Sequence, residues 1–237
     1  MHCDDFLWRP QLTARSTTSL ALLALAAALT LTLYVGLEKA PLAGDLWLTQ
    51  QVQSAGWFAR PAEAFNWVGD WVAWPFTLVF LAVVLRRFLP RARAVPVREY
   101  RAAIVALTLL IPLSALNSLL KGLVQSPRPL AADGAQVDYF RDSYGFPSGH
   151  VFHDVLLFGA MAILAPLWLP RRLVWPVRAS LLAVIVLSGP SRVFVGAHWP
   201  GDTVGGYLWG SASLLAALAV GKWLAGRMDR GAGLSES

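Results

Sequence analysis

Six stretches of this chain run for about twenty residues with almost no charge, and that spacing limits the fold more than any other feature. From Ser16 to Leu37 no residue is charged, and the core ALLALAAALTLTLYVGL is almost wholly apolar. As a helix it is long enough to cross a hydrocarbon layer of about 30 Å. Arg9 and Arg15 precede it, as they would precede a secretory signal. The apolar run, however, exceeds the roughly 7–15 residues of a signal core, and no small-x-small cleavage site follows, so it reads as an uncleaved span. A second span is expected from about Asn66 to Leu85, interrupted by Asp70, and a third from Ala102 to Leu120. A fourth starts at His150 and ends near Leu169, a fifth runs from about Val177 towards Val195 with Arg192 in its last turns, and a sixth covers Thr203 to Gly221.

These spans use most of the 237 residues. The expected fold is therefore an all-α integral membrane bundle of about six transmembrane helices. It forms one domain over residues 1–237, without repeats or room for a soluble domain. Composition agrees: 56% of residues are hydrophobic and 14% charged, against roughly 25% charged in a soluble domain. That excludes a disordered chain, and the single cysteine, Cys3, excludes a disulfide scaffold. The net charge of +6 raises nucleic acid as a partner. The arginines, though, fall in short segments between apolar stretches, as a membrane topology places them, so no nucleic-acid partner is expected.

Basic residues also orient the bundle. The N-terminus, the Arg86–Arg101 loop, a hairpin at Pro166–Arg178 and the C-terminal tail with Lys222 just before it together hold 14 Lys and Arg, against 6 on the other side. By the positive-inside rule the first set is cytoplasmic, with tails at residues 1–18 and 223–237. The 38–66 loop lies outside, and its stretch Asp45–Phe65 reads equally as an interfacial helix or a wet loop. Trp47, Trp57, Trp67, Trp71 and Trp74 fall around it as an aromatic belt would.

The outer side carries a pattern. Lys121 leads through six residues to Arg128 and Pro129, giving KGLVQSPRP. Pro147-Ser148-Gly149-His150 follows, then SRVFVGAHWPGD from Ser191 and Arg192 to His198 and Asp202. From Val151 to Pro190 is 40 residues, or about 60 Å of helix and so two crossings, which returns Ser191 to the side of His150. Charged and titratable groups from three distant segments thus meet at one depth, within a motif core at about residues 117–208.

In this order KxxxxxxRP, PSGH and SRxxxxxHxxxD resemble the type 2 phosphatidic acid phosphatase (PAP2) superfamily, specifically its bacterial six-span lipid phosphate phosphatases. Every motif position is met. The resemblance implies a membrane phosphatase acting on a lipid phosphate or diphosphate, such as undecaprenyl diphosphate, phosphatidylglycerol phosphate, phosphatidate or lipid A phosphate. It implies a phosphohistidine on His198, protonation of the leaving group by His150 and hydrolysis by water, without metal or other cofactor.

The residue chemistry fits those roles. Lys121, Arg128 and Arg192 supply cations, and a guanidinium fork holds phosphate oxygens in pairs. Ser148 and the Gly149 N–H, at an expected helix start, donate to phosphate as well. Asp202, one helical turn after His198, accepts from one ring nitrogen and leaves the other as nucleophile. His150 remains as general acid. Pro129, Pro147, Ser191 and His153 stand beside this set as supporting residues. His150 and His153 have the spacing of a metal pair, but no Cys, His or carboxylate set completes it. Asp154 and His153 lie outside the motif, and Asn117 and Ser114 are expected to face other helices.

The expected partner is the lipid substrate, in the bacterial plasma membrane with the site on its extracytoplasmic face; no obligate protein partner is inferred. Phosphotransfer to a lipid acceptor at the same site is the near alternative. A transporter or flippase of phosphorylated lipid is the distant one, disfavoured because no inverted repeat is visible and the ionisable groups gather at helix ends. Vanadium haloperoxidases share the motif pattern but are soluble.

Overall fold

Inside a bilayer the backbone must satisfy its hydrogen bonds within each segment, and every regular element among the described residues is helical. The computed structural model describes residues 14–39, 41–67, 97–138 and 142–234. Seven α-helices follow in order: α1 (Ala14–Glu38), α2 (Asp45–Ser54), α3 (Ala59–Trp67), α4 (Val97–Val124), α5 (Gly149–Trp168), α6 (Arg171–Phe194) and α7 (Pro200–Leu234). Five are long and apolar enough to cross a membrane: Arg15–Glu38, Ala103–Val124, Gly149–Pro166, Arg171–Phe194 and Pro200–Arg227. These match the expected first, third, fourth, fifth and sixth spans. The expected second span extends past Trp67 and, with Asp70, Trp71 and Trp74, lies outside the described residues.

α5 and α7 are the most enclosed of the five, while α1, α4 and α6 turn large apolar side chains outward. Leu33, Leu37, Ile111 and Leu123 are each about two-thirds or more exposed, a surface that only a hydrocarbon phase covers without cost. The close approach of α5 to α7 depends on glycine: a Cβ on Gly210 would stand 2.8 Å from Val155 Cβ and 3.0 Å from the Phe152 carbonyl oxygen. Phe146, Phe152, Leu156, Trp209 and Leu214 form the core of that contact.

Two boundaries differ from the sequence reading. The Pro166–Arg178 hairpin is far tighter than expected, because α5 continues through Pro166 and α6 begins at Arg171, leaving Leu169 and Pro170 as the turn. Likewise α7 runs on past Gly221 through most of the expected tail to Leu234. The cause is the same in both places: charge marks where side chains reach for water, and a helix can carry Arg or Lys past that point. Arg178 Nε donates to the Ala162 carbonyl at 2.8 Å, and Lys222 Nζ donates to Thr17 Oγ1 at 3.1 Å.

That last bond joins the start of α1 to the late turns of α7. At the other end of α1, Lys39 Nζ donates to the Val124 carbonyl at 2.7 Å, where α4 terminates. The bundle therefore has two distinct ends, and the Thr17–Lys222 end is opposite the one where α4 finishes.

Candidate active site

Lys121 lies in the last turn of α4, Ser148 immediately precedes α5, Arg192 is in the last turn of α6, and Asp202 is in the first turn of α7. Four helix ends thus meet at the α4-terminal end of the bundle. Residues 41–67 cover the same end: Gln53 Nε2 donates to the Gln136 carbonyl at 2.8 Å and the Phe194 carbonyl at 3.1 Å.

The turn between α6 and α7 is tightly wound. The amides of Ala197 and His198 both reach the Arg192 carbonyl, at 3.0 and 3.3 Å. Gly196 adopts φ +67, and any Cβ there would strike the backbone of Gln136, so this motif turn needs glycine on both counts. The chain thereby returns His198 beneath the Arg128 side chain.

Arg128 is held by its neighbours. Its Nε donates to the Ser143 carbonyl (2.7 Å), Nη2 to Ser143 Oγ (3.0 Å) and Nη1 to the Ala197 carbonyl (2.6 Å). Nη1 also stands 3.2 Å from His198 Nε2. A guanidinium can only donate, so Nε2 carries the lone pair and the ring proton sits on Nδ1. Nδ1 faces Asp202 Oδ2 at 3.3 Å, and the same oxygen accepts the Trp199 amide at 3.1 Å. His198 and Asp202 are 1% and 2% exposed, so this arrangement is set by protein rather than by water. Burial holds the His198 pKa well below its ordinary 6.5, and the charges of Arg128, Lys121, Arg192 and His150 push it down further. The ring is therefore neutral at physiological pH, with the lone pair of Nε2 turned towards Arg128.

The remaining motif residues close around it. Ser148 N donates to the Asp202 carbonyl at 2.9 Å, tying the start of α5 to α7. Ser148 Oγ is buried with no hydrogen-bond partner among the described residues. Gly149 opens α5 beside Asn117 and Lys121, and Lys121 Nζ is fixed by the carbonyls of Tyr144 (2.7 Å) and Gly145 (3.0 Å). His150, half-buried in the first turn of α5, faces the cluster closely enough for its charge to act on His198. The eight residues assigned from sequence to catalysis or phosphate binding are thus brought together.

The supporting residues fare differently. Pro129 and Pro147 are buried, and Ser191 Oγ donates to the Ser188 carbonyl at 2.7 Å within α6. His153 turns back on its own helix, with Nδ1 2.7 Å from the Gly149 carbonyl oxygen. Asp154 is buried deeper and accepts from Ser188 Oγ at 2.5 Å. Asn117 does face its neighbour, donating to the Pro147 carbonyl at 3.3 Å, whereas Ser114 bonds the Ile111 carbonyl of its own helix. Among the described residues no three His, Cys, Asp or Glu side chains share a metal-ligand geometry.

Two contributors escaped the sequence reading. Asn66 Oδ1 accepts from Arg192 Nη1 at 2.6 Å. Asp45 accepts from the Gly201 amide at 2.9 Å, capping α7 from across the bundle, and burial pushes its carboxyl above the ordinary carboxylate range against the pull of that bond and one from Leu42. Neither belongs to a motif, and a single polar residue between two expected spans carries no distinguishing signal.

Known proteins match this architecture. Residues 100–225 match the PAP2 superfamily. A lipid A 1-phosphatase of Rhizobium johnstonii is 32% identical over 113 residues, covering 41% of this chain and 42% of that protein. An undecaprenyl-diphosphatase of Sulfolobus acidocaldarius is 39% identical over 72 residues, covering 29% of each. The chain thus spans less than half the length of these curated relatives. The crystal structure of a transmembrane PAP2 type phosphatidylglycerolphosphate phosphatase from Bacillus subtilis superposes with a TM-score of 0.61 at 19% identity, over 90% of this chain and 96% of that one, and so shares its fold.

Proposed function

The chain belongs to the PAP2 superfamily, and from that premise we propose that it is a membrane phosphatase hydrolysing a lipid phosphate or diphosphate through a phosphohistidine on His198. The observation that carries this reading is the His198 ring itself, neutral, with its proton directed at Asp202 and its lone pair directed at Arg128. A phosphoryl group bound by Arg128 would lie against that lone pair.

In the first step Nε2 attacks phosphorus, the bond from phosphorus to the lipid oxygen breaks, and His150 gives that oxygen its proton. Positive charge develops on the ring and is balanced by Asp202. Lys121, Arg128, Arg192, Ser148 Oγ and the Gly149 amide take the charge on the phosphoryl oxygens, which is electrostatic stabilisation without a metal. In the second step water attacks the phosphohistidine, gives a proton to His150 and releases inorganic phosphate. The relatives named above act on lipids whose common feature is a phosphate group. The shared chemistry therefore supports a lipid phosphate as substrate class.

We place the site on the extracytoplasmic face of a bacterial plasma membrane. The support is the excess of basic residues on the other side, 14 against 6. The test of function is phosphate release by purified protein in detergent, offered a panel of lipid monophosphates and diphosphates in EDTA. Turnover of at least one that is lost in His198→Ala is expected. No release from any of them, or release that needs added Mg²⁺ or Zn²⁺, contradicts the proposal.

A further inference from the structure

We infer that Tyr207 is a positioning residue for Arg192. Its hydroxyl, carried on α7, replaces the N–H that Pro190 lacks in α6 and so holds the turn bearing Arg192 against the helix bearing Asp202. The inference rests on the proposed role of Arg192 as a phosphate ligand and adds a residue that lies outside all three motifs.

The last turns of α6 read Ser188-Gly189-Pro190-Ser191-Arg192. Gly and Pro are the two poorest helix formers, and here they stand side by side just ahead of the arginine. Pro190 has no N–H, so the Val186 carbonyl loses the donor that the residue four places on supplies in a regular helix. In a membrane-spanning segment no water replaces that donor, and an unpaired carbonyl is costly. Tyr207 supplies the bond. Its hydroxyl lies 2.9 Å from the Val186 carbonyl oxygen and 3.0 Å from that of Ile185, to which it donates, and it accepts the Gly189 amide at 2.9 Å. Glycine makes room for it: a Cβ on Gly189 would stand 2.6 Å from Tyr207 Oη and 2.8 Å from Cε2 of the ring.

This clip sits next to the site on both helices. Gly189 precedes Arg192 by three residues, less than one helical turn, and Tyr207 follows Asp202 by five. Fixing the end of α6 to α7 therefore fixes the offset between the buried Arg192 and the His198–Asp202 pair. A phosphoryl group gripped by Arg192 must meet His198 Nε2 in line, and a small misplacement of either is expensive in rate and in binding. A Phe ring at 207 would fill the same space beside Gly189 but leave the Val186 carbonyl without its donor, loosening the turn that aims Arg192.

The test compares Tyr207→Phe, Pro190→Ala and the double variant. The readouts are KM and kcat on a lipid phosphate, inhibition by inorganic phosphate, and the melting temperature in detergent. Tyr207→Phe should raise KM and weaken phosphate inhibition by roughly 3- to 10-fold, the scale of one neutral hydrogen bond. Pro190→Ala should stay close to wild type, because Tyr207 still holds the turn. The double variant should match Pro190→Ala, because residue 190 then brings the N–H that the Val186 carbonyl needs. A merely structural clip predicts a lower melting temperature in Tyr207→Phe with KM and phosphate inhibition unchanged, and that result overturns the inference. So does a loss in Pro190→Ala as large as that in Tyr207→Phe, or a loss that persists in the double variant. If Tyr207→Phe does not fold, the double variant decides: inhibition equal to that of Pro190→Ala supports the inference, and weaker inhibition or failure to fold overturns it. Arg192→Gln separates the inference from its premise. If it weakens phosphate inhibition while Tyr207→Phe does not, only the role of Tyr207 falls; if it leaves inhibition unchanged, the role of Arg192 falls and that of Tyr207 with it.

Discussion

Replacing Asp202 by Asn should cost far less than replacing it by Ala, for a reason visible in one oxygen. Asp202 Oδ2 receives both His198 Nδ1 at 3.3 Å and the Trp199 amide at 3.1 Å. The Trp199 N–H can only donate, so an Asn side chain at 202 must place its oxygen, not its NH2, at that position. The ring proton then stays on Nδ1 and the lone pair on Nε2, where Arg128 already requires it. What Asn loses is the negative charge. Hydrogen bonds to charged groups are worth about 1.5–3 kcal/mol and neutral ones about 0.5–1.5, so the loss is about 1–2 kcal/mol, or roughly 5- to 30-fold in kcat. Ala loses the bond and the orientation together, leaves the Trp199 amide unpaired, and should fall by roughly 10³-fold or more. The assay is steady-state turnover of an aryl phosphate and a lipid phosphate by both variants, each checked for a wild-type melting profile. Asn as inactive as Ala would refute the reasoning, because it would mean the amide had turned its NH2 to the ring and forced the wrong tautomer.

Other outcomes follow from the same geometry. His150→Ala should lose about 10²- to 10⁴-fold on a lipid phosphate, whose alkoxide leaves poorly, but much less on an activated aryl phosphate, and equal losses would remove His150 as the acid. Because burial and four surrounding charges depress the His198 pKa, protonation silences the nucleophile only well below pH 6.5; the acid limb of kcat/KM should lie there and move upward in Arg128→Gln, and a wild-type limb at or above 6.5 would contradict the electrostatics. Reporter fusions after Gly134 and after Ser237 should report opposite sides of the membrane, with Gly134 outside, and the same side for both would sink the topology.

What could be read from sequence was set by chemistry with narrow solutions. A metal-independent phosphoryl transfer needs cations, donors, a nucleophile and an acid, and Lys121, Arg128, Ser148, Arg192, His150 and His198 are the residue types that supply them at recognisable spacing. Span counting succeeded for the five described helices long enough to cross a membrane, because a hydrocarbon layer imposes a minimum length. It misplaced the start of α6 and the end of α7, since charge reports where water begins and not where a helix stops. Residues 45–54 remained ambiguous for another reason. α2 buries Asp45 and Thr49 while exposing Trp47 and Leu48, the inverse of the pattern that identifies an amphipathic helix. Asp45 is inside because it caps α7, as Asn66 on α3 holds Arg192. Such contacts join residues 126 and 156 positions apart and leave no local trace.

The central claim is the covalent intermediate on His198, and rapid acid-free quenching of a single turnover tests it most directly. Protein mixed with a lipid phosphate radiolabelled in the phosphoryl group should carry label that is stable to base, released by acid and located by mass spectrometry on His198. Label should be absent from His198→Ala. Full turnover with no labelled protein at any quench time, or label that persists in His198→Ala, would contradict the account.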